Sequence, residues 1–254
     1  MLFEKKHSHT LFHGSCIDII KRLPKNSIDM VFADPPYKLS NGGITCQSGQ
    51  MVSVDKGDWD KSSGHAIDYA FTKRWLRLLK RVLKPNGTVW ISGTYHIIYS
   101  IGFALSELDY TVINDISWFK PNAAPNISCR CFTASHETLI WAKLTKKAKH
   151  TFNYALMKEL NEGKQMRSLW TIPTTPKSEK TNGKHPTQKP LSLLKRCILS
   201  STNPGDTILD PFCGSGTTGV AAIELNRKFI GIEIDEEFLS LTSARLNEAI
   251  VEKP

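Results

Sequence analysis

The chain has 254 residues and a formal net charge of +9, and hydrophobic residues make up 40% of it. This length suits one large α/β domain with insertions, and the hydrophobic fraction is sufficient for a full core. No apolar run approaches the roughly 18 residues that a membrane span requires. The N-terminus also lacks the apolar stretch of a signal peptide, so we expect a cytoplasmic protein without membrane segments. The positive charge favours a polyanionic partner, above all nucleic acid, although many basic proteins bind none.

Apolar runs alternate with amphipathic stretches along the chain, which predicts a mostly parallel sheet with helices on both faces. The predicted strands are Ile28–Ala33, Thr88–Ser92, Val112–Phe119, Thr138–Ala142, Thr207–Leu209 and Phe229–Ile232. The predicted helices are Ser15–Leu23, Ala66–Val82, Tyr95–Leu108, Thr187–Ser200, Thr217–Leu225 and Glu236–Ile250. The Pro85-Asn86-Gly87 sequence predicts a turn that ends one helix and starts the next strand. We expect a single α/β domain over residues 1–254.

Three segments interrupt this alternation: 38–65 is rich in Gly, Ser and Asp, 120–136 holds prolines and asparagines, and 143–186 is crowded with lysines. Long irregular segments in a compact domain are usually functional or disordered. In 143–186 the basic residues are interleaved with aromatic ones such as Trp170, a composition that suits a nucleic-acid surface. A solvated loop is the alternative explanation of that charge.

The six cysteines and eight histidines form no pattern typical of a metal site. No Cys-x-x-Cys pair occurs, and Cys129 and Cys131 are too close in sequence for a usual zinc pair. We therefore predict reduced, mostly structural thiols and no bound metal.

A strand, a glycine-rich turn, a helix and a second strand follow one another near the C-terminus. The turn carries Gly214, Gly216 and Gly219 in the G-x-G-x-x-G pattern, and the second strand ends on Glu233. Glycines in such a turn let the backbone approach a nucleotide, and the acidic residue can hold ribose hydroxyls. A tight turn without a ligand explains the glycines alone equally well.

The late position of this turn discriminates between nucleotide ligands. A dinucleotide-binding fold needs several strands after its glycine-rich turn, but few residues follow the turn in this chain. Strands from earlier in the sequence therefore have to complete the nucleotide-binding part of the sheet. That order is awkward for an NAD-dependent oxidoreductase, which we keep as a distant alternative, and natural for a circularly permuted methyltransferase. Asp210, at the end of the preceding strand, suits a cationic ligand. We therefore predict S-adenosylmethionine as the cofactor.

The sequence Asp34-Pro35-Pro36-Tyr37 directly follows an apolar strand, so it should lie at the carboxyl edge of the sheet, where α/β sites form. The Asp34 carboxylate and the Pro35 carbonyl can each accept a hydrogen bond from the exocyclic amine of adenine. The two prolines stiffen the loop and thereby preorganise both acceptors. Tyr37 offers a ring for stacking an extruded base. We predict all four residues to be catalytic, although a rigid turn would explain Asp-Pro-Pro by itself.

Five motifs, in this order, resemble the β-class amino-methyltransferases of bacterial DNA: NSIDMVFADPPY (26–37), LKPNGTVWISG (83–93), HPTQKP (185–190), DPFCGSGTT (210–218) and FIGIEID (229–235). Within this class the chain is most similar to the GATC-specific adenine methyltransferases of the DpnA type, in stretches that include LSNGGI, VSVDKGDWDK, HETLIWA and LMKELNEGKQM. The resemblance implies a Rossmann-like S-adenosylmethionine-dependent methyltransferase fold with inserted DNA-recognition loops. It also implies a role in restriction-modification, with double- or single-stranded DNA as the substrate.

The resemblance further implies roles for individual residues. Cofactor contacts are expected from Ser15, Cys16, Asp34, Lys189, Asp210, Phe212, Gly214, Ser215, Gly216, Thr217, Thr218 and Glu233. Lys189 would lie near the methionine part of the cofactor. Ser15 stands where many members of the class have an acid, and Asp18 is near enough in sequence to compensate.

The interrupting segments also acquire roles from the resemblance. Segments 38–65 and 120–136 would face the active site and DNA, and 143–186 would form a target-recognition insertion. Homodimers are common in the class, although no interface can be identified from the sequence pattern.

Two related specificities remain as alternatives. N4-cytosine methyltransferases share the architecture but usually carry Ser in place of Asp34, so the carboxylate favours adenine. GANTC-specific relatives typically add a C-terminal DNA-recognition domain, whereas this sequence stops just after the last predicted helix. We therefore expect GATC rather than GANTC.

Overall fold

The computed structural model describes residues 1–38, 44–47, 50–53, 60–126, 129–180, 183 and 186–251, with only the backbone for 44–47 and 50–53. Most of the LSNGGI stretch, much of VSVDKGDWDK and the first residue of HPTQKP lie outside this part. Several positions of the predicted loops 38–65, 120–136 and 143–186 lie outside it as well.

In the described residues, one nine-stranded sheet forms in the order β1-β2-β11-β10-β3-β6-β8-β7-β9, beside a two-stranded hairpin of β4 and β5. The strands are β1 (Leu2–Lys5), β2 (His9–His13), β3 (Ile28–Ala33), β4 (Ile44–Gln47), β5 (Gln50–Ser53), β6 (Leu83–Gly93), β7 (Thr111–Phe119), β8 (His136–Lys143), β9 (Leu169–Thr171), β10 (Thr207–Asp210) and β11 (Lys228–Glu233). The helices are α1 (Cys16–Ile20), α2 (His65–Val82), α3 (Ile98–Glu107), α4 (Tyr154–Glu159), α5 (Leu191–Ser201), α6 (Thr217–Glu224) and α7 (Glu236–Val251).

The sheet is mostly parallel, as predicted. The pairs β2–β11, β11–β10, β10–β3, β3–β6 and β7–β9 are parallel, whereas β1–β2, β6–β8 and β7–β8 are antiparallel. Strands β10 and β3 are neighbours and run in the same direction. Their carboxyl ends therefore meet at one edge, which brings Asp210 and Asp34 to the same place although they are far apart in sequence.

Helices cover both faces of the sheet, which explains why β3 is apolar along its whole length. Val31 and Ala33 of β3 pack into a core cluster with α1, α2 and α3. Met30 and Phe32 point to the opposite face and pack into a second cluster with α5, α6 and α7. The predicted α/β class with helices on both faces is confirmed.

Two of the local predictions that were wrong involve prolines. Helix α5 begins at Leu191 rather than at Thr187, because the ring of Pro190 disfavours helical geometry at the residue before it. The Pro85-Asn86-Gly87 turn does not separate a helix from a strand. It lies inside β6, where pairing with β3 shifts from Leu83 to Thr88 across an irregularity.

Segment 143–186 is less irregular than its composition indicated. It contains α4 and the short strand β9, which extends the main sheet by pairing with β7. The composition of this segment predicted that Trp170 belongs to a nucleic-acid surface. That prediction was wrong, because Trp170 is buried in the second core cluster. The backbone N–H of Asn153 donates to Ser200 O, and its side chain donates to Leu199 O and Thr202 O, which fixes the segment to α5.

No helix in the described part of the chain is both long and apolar enough to cross a membrane. Within the same residues, no cluster of His, Cys, Asp or Glu side chains is arranged to hold a metal ion.

Candidate active site

A cavity of about 310 Å³ opens at the carboxyl edge of the sheet. Small-molecule sites commonly have volumes of about 300–1,000 Å³, so this cavity is large enough for a compact ligand. The turn after β2, the loop after β3 and the glycine-rich turn after β10 all contribute to its wall. The predicted site residues that line it are Ser15, Cys16, Asp34, Pro35, Pro36, Tyr37, Phe212, Gly214 and Glu233.

Most of the other predicted cofactor residues line a small recess that shares Asp34, Phe212 and Gly214 with this cavity. The recess has a volume of about 30 Å³ and is lined by Asp34, Lys189, Asp210, Phe212, Gly214, Ser215, Thr217 and Thr218. Gly216 lines neither space, but it forms the turn into α6 with a φ of 75°. The structure thus brings the predicted site residues together, while the role of each remains a prediction.

Asp210 fixes the glycine-rich turn from the end of β10. Its Oδ1 accepts a hydrogen bond from the Phe212 N–H at 3.0 Å, and its Oδ2 accepts one from the Thr218 hydroxyl at 2.6 Å. Thr242 of α7 supports the turn from the other side by donating to Gly214 O at 2.7 Å. The turn is therefore held by side chains from β10 and α7.

Buried carboxylates give this edge an acidic character. Burial raises the pKa of Asp210 to about 7, and the nearby Asp34 and Glu233 carboxylates act in the same direction. Burial also raises the pKa of Asp34 and of Glu233. A positively charged ligand would lower the cost of ionising these groups, so the site fits a cation better than an anion.

We expect the pKa of Asp210 to make the stability of the protein pH-dependent. Its folded-state pKa of about 7 lies above the value of about 4 in an unfolded chain. The contribution of Asp210 to the free energy of unfolding is therefore fully present below about pH 4, and it is lost as the pH rises to about 7. The free energy of unfolding should fall over this window, relative to Asp210→Asn, by up to a few kcal/mol. Denaturant unfolding of both proteins measures the difference; parallel pH curves would contradict the expectation.

Glu233 holds the end of β11 through three backbone amides. Its Oε2 accepts from Gly214 N–H at 2.8 Å, and its Oε1 accepts from the N–H groups of Ile234 at 2.8 Å and Asp235 at 3.1 Å. The carboxylate thus links β11 to the glycine-rich turn. Oε2, with one of these three bonds, is the oxygen better placed to accept from a ligand hydroxyl.

Asp34 is held by two donors beside the cavity. Its Oδ2 accepts from the Lys189 ammonium at 2.5 Å, and its Oδ1 accepts from the Tyr37 hydroxyl at 2.7 Å. Burial would lower the pKa of Lys189, but the carboxylates of Asp34 and Glu137 raise it. Lys189, expected beside a cofactor, is thus an ion-pair partner of Asp34. Tyr37 is 7% exposed, and the stacking role of its ring remains a prediction.

The sequence interpretation missed Glu137, at the start of β8. Its Oε2 lies 3.0 Å from the Tyr37 hydroxyl and 3.6 Å from the Lys189 ammonium, and its Oε1 lies 2.9 Å from the Lys120 ammonium. Burial acts to raise its pKa, but Lys189 and Lys120 outweigh it and bring the value to about 2. The available signal was an acid at the start of an apolar strand, in the HETLIWA stretch.

The suggestion that Asp18 compensates for the missing acid at Ser15 was wrong. The Asp18 side chain is 63% exposed, pairs with Lys21 at 3.5 Å and does not line the cavity. Cys16 does line it, and burial raises the pKa of its thiol to about 12. The Cys16 thiol therefore stays protonated and acts as a small apolar group.

Comparison with protein families gives a match over most of the chain. The family described as DNA methylase matches residues 28–244. The chain is 56% identical to the type II methyltransferase M2.DpnII of Streptococcus pneumoniae, over 96% of this chain and 91% of the relative. It is 53% identical to M2.LlaDCHI of Lactococcus lactis subsp. cremoris and 52% identical to M2.MboI of Moraxella bovis, with coverage of at least 87% of each chain.

Solved structures with the same fold include the M1.HpyAVI–SAM complex. That structure is 32% identical, has a TM-score of 0.70, and the match covers 94% of this chain and 99% of the other. The cytosine-N4-specific PvuII DNA methyltransferase has a TM-score of 0.73 at 20% identity, covering 95% of this chain and 87% of the other. The likeness to the PvuII enzyme shows the fold alone.

Proposed function

We propose, from the premise that this chain belongs to the DNA methylase family, that it methylates the N6 amino group of adenine in DNA. It is a DNA methyltransferase that uses S-adenosylmethionine. The observation that carries the adenine assignment is the Asp34 carboxylate, held beside the cavity at the carboxyl end of β3. A carboxylate accepts hydrogen bonds from an amine without offering a competing donor.

The residues around the cavity fit the cofactor. S-adenosylmethionine supplies a methyl group on a positively charged sulfonium, and the buried carboxylates of Asp210 and Glu233 favour a cation. The Asp34 carboxylate is already paired with Lys189 and contributes less to this preference. Glu233 would accept hydrogen bonds from the ribose hydroxyls. The turn after β2, with Ser15 and Cys16, would form another part of the cavity wall around the cofactor. The remaining predicted cofactor residues that would line the adjoining recess are Phe212, Gly214, Ser215, Thr217, Thr218 and Lys189. Gly216 would shape the turn into α6.

The loop residues would orient the target amine for attack. Asp34 and the Pro35 carbonyl each accept one N6 hydrogen, which directs the nitrogen lone pair at the methyl group. That lone pair forms the new N–C bond, and the electron pair of the broken S–C bond stays on sulfur. One N6 proton then leaves to the Asp34 carboxylate and from there to water. Positioning is the main contribution of these residues to the rate.

Three segments are proposed to meet DNA within a single catalytic domain over residues 1–254. Parts of 38–65 line the cavity, since Lys38, Asp60 and Ser63 lie in its wall. Segment 120–136 carries Phe132, which is 99% exposed. Segment 143–186 would act as the target-recognition insertion, with exposed basic side chains suited to phosphate contacts: Lys146, Lys147, Lys149, Lys164, Arg167 and Lys177.

We further propose GATC as the recognition site and restriction-modification as the setting. The DpnA-type stretches and the 52–56% identity to M2.DpnII, M2.LlaDCHI and M2.MboI support this choice. We place the enzyme in the cytoplasm with its DNA substrate, and we extend the homodimer of the class to it as a proposal.

The test is methyl transfer from radiolabelled S-adenosylmethionine to oligonucleotides that contain GATC, GANTC or neither site, each single- and double-stranded. We expect label in the GATC substrates alone, and N6-methyladenine on mass spectrometry of the digested product. Labelling of GANTC would overturn the recognition site only. N4-methylcytosine in the product would overturn the adenine assignment.

A further inference from the structure

The Tyr37 hydroxyl lies between two carboxylates. It is 2.7 Å from Asp34 Oδ1 and 3.0 Å from Glu137 Oε2. A phenol has one proton to donate, so it can serve only one of these acceptors at a time. The Lys189 ammonium donates to the phenol oxygen at 3.2 Å, which holds that oxygen in place in either arrangement.

This arrangement matters because each Asp34 oxygen already accepts one hydrogen bond, which leaves fewer lone pairs for an incoming amine. Lys189 binds Oδ2 and Tyr37 binds Oδ1. An incoming amine needs an Asp34 lone pair that faces the cavity. Rotation of the Tyr37 O–H towards Glu137 vacates the position on Oδ1 without moving any heavy atom, and it exchanges one charge-assisted bond for another.

Glu137 is well held as the alternative acceptor. The Lys120 ammonium binds its other oxygen at 2.9 Å, and the buried Ser92 hydroxyl lies 3.3 Å from both Glu137 Oε2 and the Tyr37 oxygen. The side chains of Glu137 and Lys120 are only 12% and 15% exposed. Water therefore has little access to replace Glu137 as the acceptor of the Tyr37 proton.

We propose that Glu137 is a positioning residue that receives the Tyr37 hydroxyl hydrogen bond when the target amine binds Asp34. The proposal rests on the proposed function, because it concerns the same amine. Glu137 does not touch the substrate in this scheme. It acts by releasing Asp34 Oδ1 from the Tyr37 hydroxyl, so that Asp34 can accept from the amine.

The test measures the single-turnover rate of methyl transfer and the Kd of S-adenosylmethionine. Glu137→Gln should lower the rate by about 10- to 100-fold, because a neutral amide is a weaker acceptor for the Tyr37 hydroxyl than a carboxylate. The Kd should stay nearly unchanged, because Glu137 does not line the cavity. Glu137→Asp keeps the charge for both lysines but withdraws the acceptor from Tyr37, so it should also lower the rate. It serves as the second variant if Glu137→Gln folds poorly.

A double-mutant cycle separates this role from a structural one. In a Tyr37→Phe background there is no hydroxyl to redirect, so Glu137→Gln should then change the rate by less than about threefold. The matched control is Glu224→Gln, which removes the carboxylate of the Lys195–Glu224 ion pair between α5 and α6 and should retain the wild-type rate.

Three results would each contradict a different part of this scheme. Wild-type rates in Glu137→Gln and Glu137→Asp would remove Glu137 from positioning. Equal effects of Glu137→Gln with and without the Tyr37 hydroxyl would show that it acts independently of Tyr37. Absence of adenine methylation by the wild-type protein would overturn the proposed function itself.

Discussion

Asp34→Asn is expected to lower the single-turnover rate of methyl transfer by at least about 100-fold while leaving the Kd of S-adenosylmethionine within about threefold. Asparagine keeps the shape of the side chain but replaces an acceptor by an NH₂ donor, which cannot accept from the adenine amine. Asp34→Ala should lower the rate of methyl transfer at least as much as Asp34→Asn. Rapid-quench methyl transfer and equilibrium cofactor binding measure the two quantities.

Asp29→Asn is the matched control for this variant. Asp29 lies on the same strand and is buried, and it pairs with the Lys84 ammonium at 2.8 Å. It also accepts from Thr207 N–H at 2.9 Å, and neither residue lines the cavity. Its replacement should reduce stability but not the rate. A near-normal rate in Asp34→Asn would show that Asp34 is not the acceptor of the N6 hydrogen.

Gly216→Ala is expected to lower the free energy of unfolding by about 2–5 kcal/mol. Gly216 has a φ of 75°, a conformation that costs an L-residue energy. An added Cβ would also lie 2.6 Å from Thr242 Cγ2 and 2.9 Å from Thr242 Oγ1. Because Thr242 binds Gly214 O, its displacement should also disturb the turn and weaken cofactor binding. Denaturant unfolding and cofactor titration measure both effects.

Two other glycines separate the causes of this effect. Gly205 has a φ of 88° but nothing within 4 Å of an added Cβ, so Gly205→Ala should show the backbone cost alone, about 1–2 kcal/mol. At Gly219, inside α6, a Cβ would lie 2.6 Å from the Phe229 ring. Gly219→Ala should therefore show the steric cost, partly offset by a gain in helix propensity of about 1 kcal/mol. A Gly216→Ala effect no larger than that of Gly205→Ala would exclude the clash with Thr242.

The sequence by itself was sufficient for the features that depend on local pattern. The continuous apolar run of β3, the alternation of strands with amphipathic stretches and the glycine-rich turn are local signals. They predicted the α/β class, and the late position of the glycine-rich turn predicted a circularly permuted methyltransferase. They also placed Asp34 and Asp210 at strand ends, and parallel pairing of β3 with β10 then requires those ends to be adjacent.

Elements without a strong local signal were not predicted. Strand β2 reads HTLFH, with polar residues at its ends, and it was not recognised because it has only two long apolar side chains. Strand β9 is three residues long and is defined by its pairing with β7 rather than by its own composition. The same pairing buries Trp170, whose sequence neighbours indicated an exposed surface.

Only the tertiary structure decided which side chains surround Asp34. Lys189 lies 155 residues away in the chain, and Glu137 comes from the antiparallel strand beside β6. No periodicity encodes such contacts, since an ion pair depends on strand order, side-chain rotamers and burial over the whole fold. The same holds for the pKa of Asp210, which burial raises. The sequence thus determined where the reactive edge lies, and the folded packing determined how its charges are partnered.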